Sequence, residues 1–293
     1  MFKFRLLSAF PLALFGLLGL APVLAAASTE LEKLSPRADI LWTPLGFPIT
    51  NSMVTSWVIA GLLILLIRFA IKKPTLVPHR GQAMVEAVVQ GITDLIEPIV
   101  GSRMVRVTFP LLAALFVYIL IQNWSGLLPG VGTIGWGKDP GGGISQALIR
   151  PGHADMSTTL ALAIVSMVAW VYYIIRYAGF KAIAYDLFGN KADRTEVPLV
   201  IFIGLFGVFF FVGLIEVISI LFRPVSLSFR LFGNVFGGEN LLHEMMGLFA
   251  WVVPIPFYGL EVLIGLVQAL VFTLLVAVYI GLVCNHEEEG ESN

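Results

Sequence analysis

Five long apolar tracts, at roughly 53 to 71, 105 to 129, 157 to 178, 197 to 249 and 256 to 283, confine this chain to folds in which lipid surrounds most side chains. Four are close to the length that crosses about 30 Å of hydrocarbon as one helix. The tract from 197 to 249 differs. At about 1.5 Å per residue a helix there would reach roughly 80 Å, so it is either two crossings or one helix lying far from the bilayer normal. Composition agrees with the membrane reading: of 293 residues 58% are hydrophobic and 13% charged, against about 45–50% and 25% in soluble domains. A net charge of −1 offers no basic excess to nucleic acid. The single cysteine, Cys284, excludes an intrachain disulfide, a CxxC redox pair and a thiolate zinc cluster. The expected class is an all-α polytopic membrane protein with about five membrane-crossing helices.

The chain divides into four parts. Residues 1–27 carry Lys3 and Arg5, an apolar run and then Ala25, Ala26 and Ala27, the layout of a secretory signal peptide; the alternative is an uncleaved first membrane helix. Residues 28–52 form an N-terminal segment that either reading starts outside the cytoplasm. The membrane domain spans 53–284, and an acidic tail follows at 285–293. Arg68, Lys72, Lys73, Arg80, Arg103 and Arg106 fall on one side, and Arg176, Lys181, Lys191 and Arg194 fall on that same side two crossings later. This excess of cations makes both loops cytoplasmic. If 197 to 249 crosses once, the C-terminus ends there too. Between the first two spans, Met84, Val88, Ile92, Leu95, Ile96 and Ile99 recur at helical spacing opposite Gln82, Glu86, Gln90, Thr93, Asp94 and Glu97. An amphipathic helix over 81–101, lying in the cytoplasmic interface or packed on a partner, is expected.

Three motifs resemble sites and fail on context. Gly130, Gly132 and Gly135 satisfy GxGxxG, and Gly132 to Lys138 begins a phosphate-loop spacing that ends at Asp139 instead of Ser or Thr. Both fingerprints need a strand before the glycines and a helix after them. These follow a membrane helix and run into Pro140 and further glycines, so a flexible extracytoplasmic loop is the better reading. His243 and Glu244 begin HExxH, but its last position is Gly247, so no zinc site follows. Leu-Phe-Gly-Asn occurs at 187–190 and 231–234 with unrelated flanks, a coincidence and not a repeat. No metal and no cofactor is expected.

Charge inside the most apolar third of the chain carries more information. Glu216, Arg223, Arg230, Glu239 and Glu261 lie within or beside these spans, where an ionisable group costs at least about 2.5–3.5 kcal/mol and so should face protein or water. Glu216, Arg223 and Arg230 are spaced by seven, which puts them on one stripe of a helix, and Asn234 extends it. Gly233, Gly237 and Gly238 leave that helix without side-chain bulk, so another backbone can approach. Buried ion pairing would account for Glu216 with Arg223, and Arg223 could equally snorkel; Arg230 has no local acid. In an antiparallel hairpin of the last two tracts, Arg230 lies level with Gln268 and Glu239 level with Glu261, with Glu216 on the cytoplasmic side of the arginine. Acids above and below one central cation describe two half-pathways that do not meet. Two carboxyls at one depth should share a proton, with His243 beside them.

The tract Arg223-Pro224-Val225-Ser226-Leu227-Ser228-Phe229-Arg230-Leu231-Phe232-Gly233-Asn234 resembles the signature of subunit a of the F-type ATP synthase membrane sector, and the resemblance extends from about Asn51 to Cys284. It implies one long, strongly tilted helix for 197–249, paired with 256–283 as a hairpin, in a cell inner membrane with the C-terminus cytoplasmic. It implies that Arg230 is the stator arginine facing the carboxylate of a rotor ring, that Asn234, Glu239, Glu261 and Gln268 match polar positions near it, and that Glu216 matches the acid on the cytoplasmic side. The partners implied are the subunit c ring, the peripheral-stalk subunit b and the lipid bilayer, with no nucleic acid and no nucleotide bound by this chain. Its role would be to couple proton, or sodium, translocation to ring rotation, with catalysis elsewhere. Many members place one His and one acid where this chain has Glu239 and Glu261. The rival classes are a stand-alone secondary transporter or ion channel, which would show inverted repeats and broken midplane helices, and an intramembrane hydrolase, which would need a nucleophile and base.

Overall fold

The computed structural model describes residues 38–43, 46, 48–71, 75, 78–128, 131, 134–138, 144–177, 179, 199–248 and 254–284. The expected leader at 1–27 and the acidic tail lie outside the described residues, as do Lys181, Lys191, Arg194 and the first Leu-Phe-Gly-Asn. Two short strands, β1 (Ile40–Trp42) and β2 (Ile49–Thr50), pair antiparallel and lead into α1 (Asn51–Ala70). There follow α2 (Arg80–Val100), α3 (Ser102–Ser125), a hairpin of β3 (Gly135–Lys138) and β4 (Ile144–Ala147), one 3-10 turn at Gly152–Ala154, then α4 (Met156–Tyr177), α5 (Leu199–Leu248) and α6 (Pro254–Cys284). Five of the helices are long and apolar enough to cross a membrane, and the protein is an all-α, multi-pass membrane protein.

Helix α1 is inverted relative to a soluble helix. Its buried residues are Asn51, Ser52, Thr55 and Ser56, whereas Trp57, Leu62, Ile64, Leu66 and Phe69 are exposed. Such a surface suits lipid or a partner helix and not water. Its start is set by Thr50, whose side chain accepts from the Met53 amide at 3.4 Å, an N-cap in the usual sense. Gly101 separates α2 from α3. Its φ of +86° lies in the region glycine favours, and there the chain turns from α2 into a spanning helix. The α2 face is narrower than the periodicity suggests. Ile92, Ile96 and Val100 are buried, but Met84, Val88 and Leu95 are exposed. Gln82, assigned to the polar face, is instead buried and donates to the Thr75 carbonyl and the Glu86 carboxylate, at 2.9 and 2.8 Å. A buried amide with both protons bonded is tolerated. The segment between α3 and α4, read from its glycines as a flexible loop, contains the β3–β4 hairpin in the register Gly135↔Ala147, Trp136↔Gln146, Lys138↔Ile144. Asn51 ties it down by donating to the Ala147 carbonyl at 2.9 Å. Pairing between β3 and β4 outweighs the low strand propensity of glycine.

The core lies between α3, α4 and α6, around Leu112, Ile119, Trp170, Phe272, Val276 and Ile280. On α6, Gly265, Ala269, Thr273, Ala277 and Gly281 recur every four residues and are all buried. A Cβ at Gly281 would overlap the Ile99 carbonyl, so this stripe lets backbones approach where lipid supplies no hydrophobic force to join helices. Helix α5 is a continuous helix of 50 residues including Pro224, about 75 Å long. Only a steep inclination brings such a helix within one bilayer, which agrees with the single long helix implied by the resemblance.

Candidate functional site

The sequence of α5 sorts its residues into two sides. Leu227, Leu231, Gly238 and Leu242 are buried and form the stripe by which α5 packs on its neighbours. Ser228, also buried, shares a 3.0 Å hydrogen bond with Thr159 of α4. Arg230 is exposed, and among the described residues no hydrogen bond or ion pair ties its guanidinium. At about 100° per residue, Gly237 lies about 20° and Gly233 about 60° from Arg230 round the helix. The space where either glycine's Cβ would stand is open, with nothing within 4 Å. The arginine therefore stands on a bare side of α5 that a partner's backbone can approach.

Arg223, one stripe position earlier, has a different environment. Its guanidinium lies 4.4 Å from the Tyr279 ring centroid and 5.7 Å from that of Trp170, and the Trp170 indole donates to the Tyr279 carbonyl at 2.7 Å. The snorkelling reading is thus replaced by a cation held between aromatic rings of α4 and α6, because the quadrupole of each ring attracts it where lipid cannot. Glu216 and Asn234 are half-buried on the same helix.

Towards the other end of α5, the Glu261 carboxyl packs directly on Gly238, where any Cβ would overlap it. Two contacts, Arg223 with Tyr279 and Gly238 with Glu261, define the antiparallel register of α5 and α6. Arg230 lies midway between them, so it falls opposite the segment around Leu270, within about one turn of the half-buried Gln268. Glu239 is half-buried, and its Oε2 is buried without a hydrogen-bond partner among the described residues. Its ionisable neighbours are Arg150 and His243, and His243 itself is exposed. The two glutamates thus lie at adjoining positions along the helices but do not hydrogen-bond to each other among the described contacts. Glu261 turns onto the α5 backbone, while Glu239 lies near Arg150.

Beside this seam is a buried polar cluster that sequence reasoning missed. Asp155 caps α4 by accepting from the Ser157 amide at 3.0 Å and binds α1 by accepting from the Ser52 hydroxyl at 2.9 Å. Arg150, which the sequence does not mark as a site residue, is buried near Glu239. His153 is fully buried and bonded to Asn123 at 2.8 Å, and burial pushes its imidazole down to about 3 from 6.5. An Asp just before an apolar run was a legible cap signal; nothing local announced the convergence of 51–56, 122–125 and 150–155. Among the described residues no group of three or more His, Cys, Asp or Glu could hold a metal ion.

Fold and site together define a class: a multi-pass membrane protein whose ionisable side chains lie along the seam of its last two helices. Residues 53–281 match the family model described as ATP synthase A chain. The chain is 30% identical over 248 residues to ATP synthase subunit a 2 of Bradyrhizobium sp. strain BTAi1, an alignment covering 84% of this chain and 95% of that relative. This chain belongs to the ATP synthase A chain family. By that membership it is a non-catalytic subunit of the Fo membrane sector, which works with the c ring in proton transport and ATP synthesis.

Proposed function

We propose that this chain is the stator half of a rotary ion motor in which Arg230 separates two offset half-pathways. The observation that carries the reading is an exposed guanidinium, without a partner among the described residues, on the bare glycine side of α5, with Glu216 on one side of it and Glu239 and Glu261 on the other. Arginine keeps its proton even when poorly solvated. It therefore attracts an ionised rotor carboxylate, holds it in that form and blocks leakage between the half-pathways. A carboxylate leaving the arginine must take up an ion before it can enter lipid, since a bare charge in hydrocarbon is far costlier than a neutral acid. Ion flow thus becomes rotation. Glu239, with Arg150 and His243 beside it, Glu261, Asn234 and Gln268 serve the outer half-pathway, and Glu216 serves the cytoplasmic one.

The cation-rich helix ends carrying Arg68, Arg80, Arg103, Arg106 and Arg176 support a cytoplasmic placement of that end and of the C-terminus. A peripheral-stalk subunit b completes the stator. Arg230→Ala should abolish ATP-driven pumping in vesicles while the complex still copurifies with the c ring; wild-type pumping would remove the assignment. Running the same assay with and without sodium identifies the ion. A membrane-impermeant thiol reagent should reach Cys284 only from the cytoplasmic face, and labelling from outside would reverse the topology.

A further inference from the structure

Helix α6 is gripped at one point by side chains that donate to its backbone. The Asn123 amide donates to the Gly265 carbonyl at 3.0 Å, and the neighbouring Trp124 indole donates to the Val262 carbonyl at 3.1 Å. Both acceptors lie inside α6, where a carbonyl oxygen retains a second lone pair after its helical bond. Close approach is possible because residue 265 is glycine: the place its Cβ would take is 3.2 Å from Asn123 Cβ and 3.2 Å from the Trp124 ring. Two bonds on successive positions of one helix face fix rotation as well as height, which apolar packing on a smooth stripe of small residues does not.

The orientation of Asn123 is itself determined. Only its NH2 group can donate to a carbonyl, so its Oδ1 is the atom facing His153 Nδ1 at 2.8 Å, and the imidazole must carry its proton on Nδ1. Nε2 is then an acceptor, and in its buried position it has no hydrogen-bond partner among the described residues. The ring is held edge-on to Tyr118, with centroids 6.1 Å apart. A line of donors therefore runs from the 3-10 turn through the end of α3 to the α6 backbone.

We propose that His153 and Asn123 are positioning residues that set the rotation of α6, so that Glu261, four residues before Gly265, and Gln268, three residues after it, are aimed at α5. The proposal rests on the outer half-pathway reading for those two side chains. A helix side chain reaches about 5–6 Å from the axis, so a 20° rotation displaces its tip by about 2 Å, and misplacement of about 1 Å can cost on the order of a hundredfold in rate. Neither residue needs to exchange a proton for this role.

The test uses the assembled complex in membranes, in a Cys284→Ser background, with single cysteines at Val262, Leu263, Leu266 and Val267. Thiol reactivity round the helix reads the rotation of α6, and ATP-driven pumping is measured alongside. Asn123→Leu and His153→Leu should shift the reactivity pattern to neighbouring positions and lower pumping about tenfold to a hundredfold. His153→Asn, whose amide places a donor near the position of Nδ1, should restore both. If Asn123→Leu does not accumulate, Asn123→Ser and Trp124→Phe are read in the same way, with the same shift expected. An unchanged reactivity pattern in these variants overturns the proposal. So does loss of pumping in His153→Asn with the pattern intact, because His153 would then act in proton transfer. Normal pumping by Glu261→Gln and Gln268→Leu would remove the pathway role of those residues, while the reactivity pattern would still decide the positioning role of Asn123.

Discussion

Arg223 and Arg230 stand seven residues apart on one face of one helix, yet the molecule treats them oppositely. Arg223 is clamped between Tyr279 and Trp170, so its charge is satisfied within the chain. Arg230, beside open glycines, meets nothing among the described contacts. The difference teaches that cost at membrane depth does not by itself mark a working charge. A cation balanced internally is part of the scaffold, and one left unbalanced is, on the proposed reading, available to a partner.

The largest effect separating the two should come from exchanging each for lysine. Arg230→Lys should pump at or near zero, because a compact ammonium lacks the planar fork and the reach of guanidinium. Arg223→Lys should keep pumping within about twofold, since an ammonium is also attracted by an aromatic face. Arg223→Gln should lower the stability of the detergent-solubilised complex by about 1–2 kcal/mol, read from its unfolding midpoint. Equal loss in both lysine variants would erase the distinction.

A second, smaller effect concerns the opposite end of the seam. Gly238→Ala places a methyl group where the Glu261 carboxyl now packs, and pumping should fall about tenfold as that carboxyl is displaced. Combining it with Glu261→Asp, one methylene shorter, should recover part of the loss. No recovery would mean that the α5 backbone, and not the carboxyl, is disturbed.

Single Glu239→Gln and Glu261→Gln variants should slow pumping several-fold and move its pH profile, and a Glu→His change at one of the two should be tolerated. Because Arg150 acts on Glu239 and no such influence on Glu261 is seen among the described residues, the pH profile of Glu239 should respond to Arg150→Gln and that of Glu261 should not. Normal pumping across the pH range by both single Gln variants would take the outer relay away from these residues.

The smallest effect is on stability alone. The His153 imidazole is pushed by burial from 6.5 down to about 3, so the unfolded chain binds a proton through that interval and the folded chain does not. Its contribution is fully present above pH 6.5 and is lost as pH falls from 6.5 toward 3, by up to about 1.4 kcal/mol per unit. Unfolding midpoints of the purified complex compared with those of His153→Asn should show that slope disappear. An identical slope would assign the acid sensitivity to other groups.

Much of the architecture was readable in advance because membrane helices state their length in hydropathy. The five spans fall within a few residues of the apolar tracts, and the polar stripe of α5 follows from sevenfold spacing. What could not be read were facts of rotation and of long-range approach. Spacing alone gave Arg223 and Arg230 the same status, since no local signal says that Trp170 and Tyr279, on two other helices, converge on one of them. It likewise paired Glu239 with Glu261 by depth, while the side chains turn to different neighbours. The polar cluster round His153 brings together three segments up to about a hundred residues apart, and each looks ordinary alone. The four-residue repeat of small residues on α6 was present in the sequence and could have revealed the close approach of α3 and α2.

The inclined helix α5 has a mechanical consequence. It is pinned laterally at the aromatic clamp on Arg223, at the Ser228 hydroxyl bonded to Thr159, and at Gly238 against α6. The outer two of these supports are fifteen residues apart, a span of about 22 Å, and Arg230 lies between them. In engineering terms the stretch of α5 from Arg223 to Gly238 is a short beam held at both ends and at one point between them, and a sideways pull on Arg230 falls on this supported stretch. In the proposed motor, torque applied there would pass into α4 and α6 rather than bend the helix, holding the arginine in place as the rotor moves past.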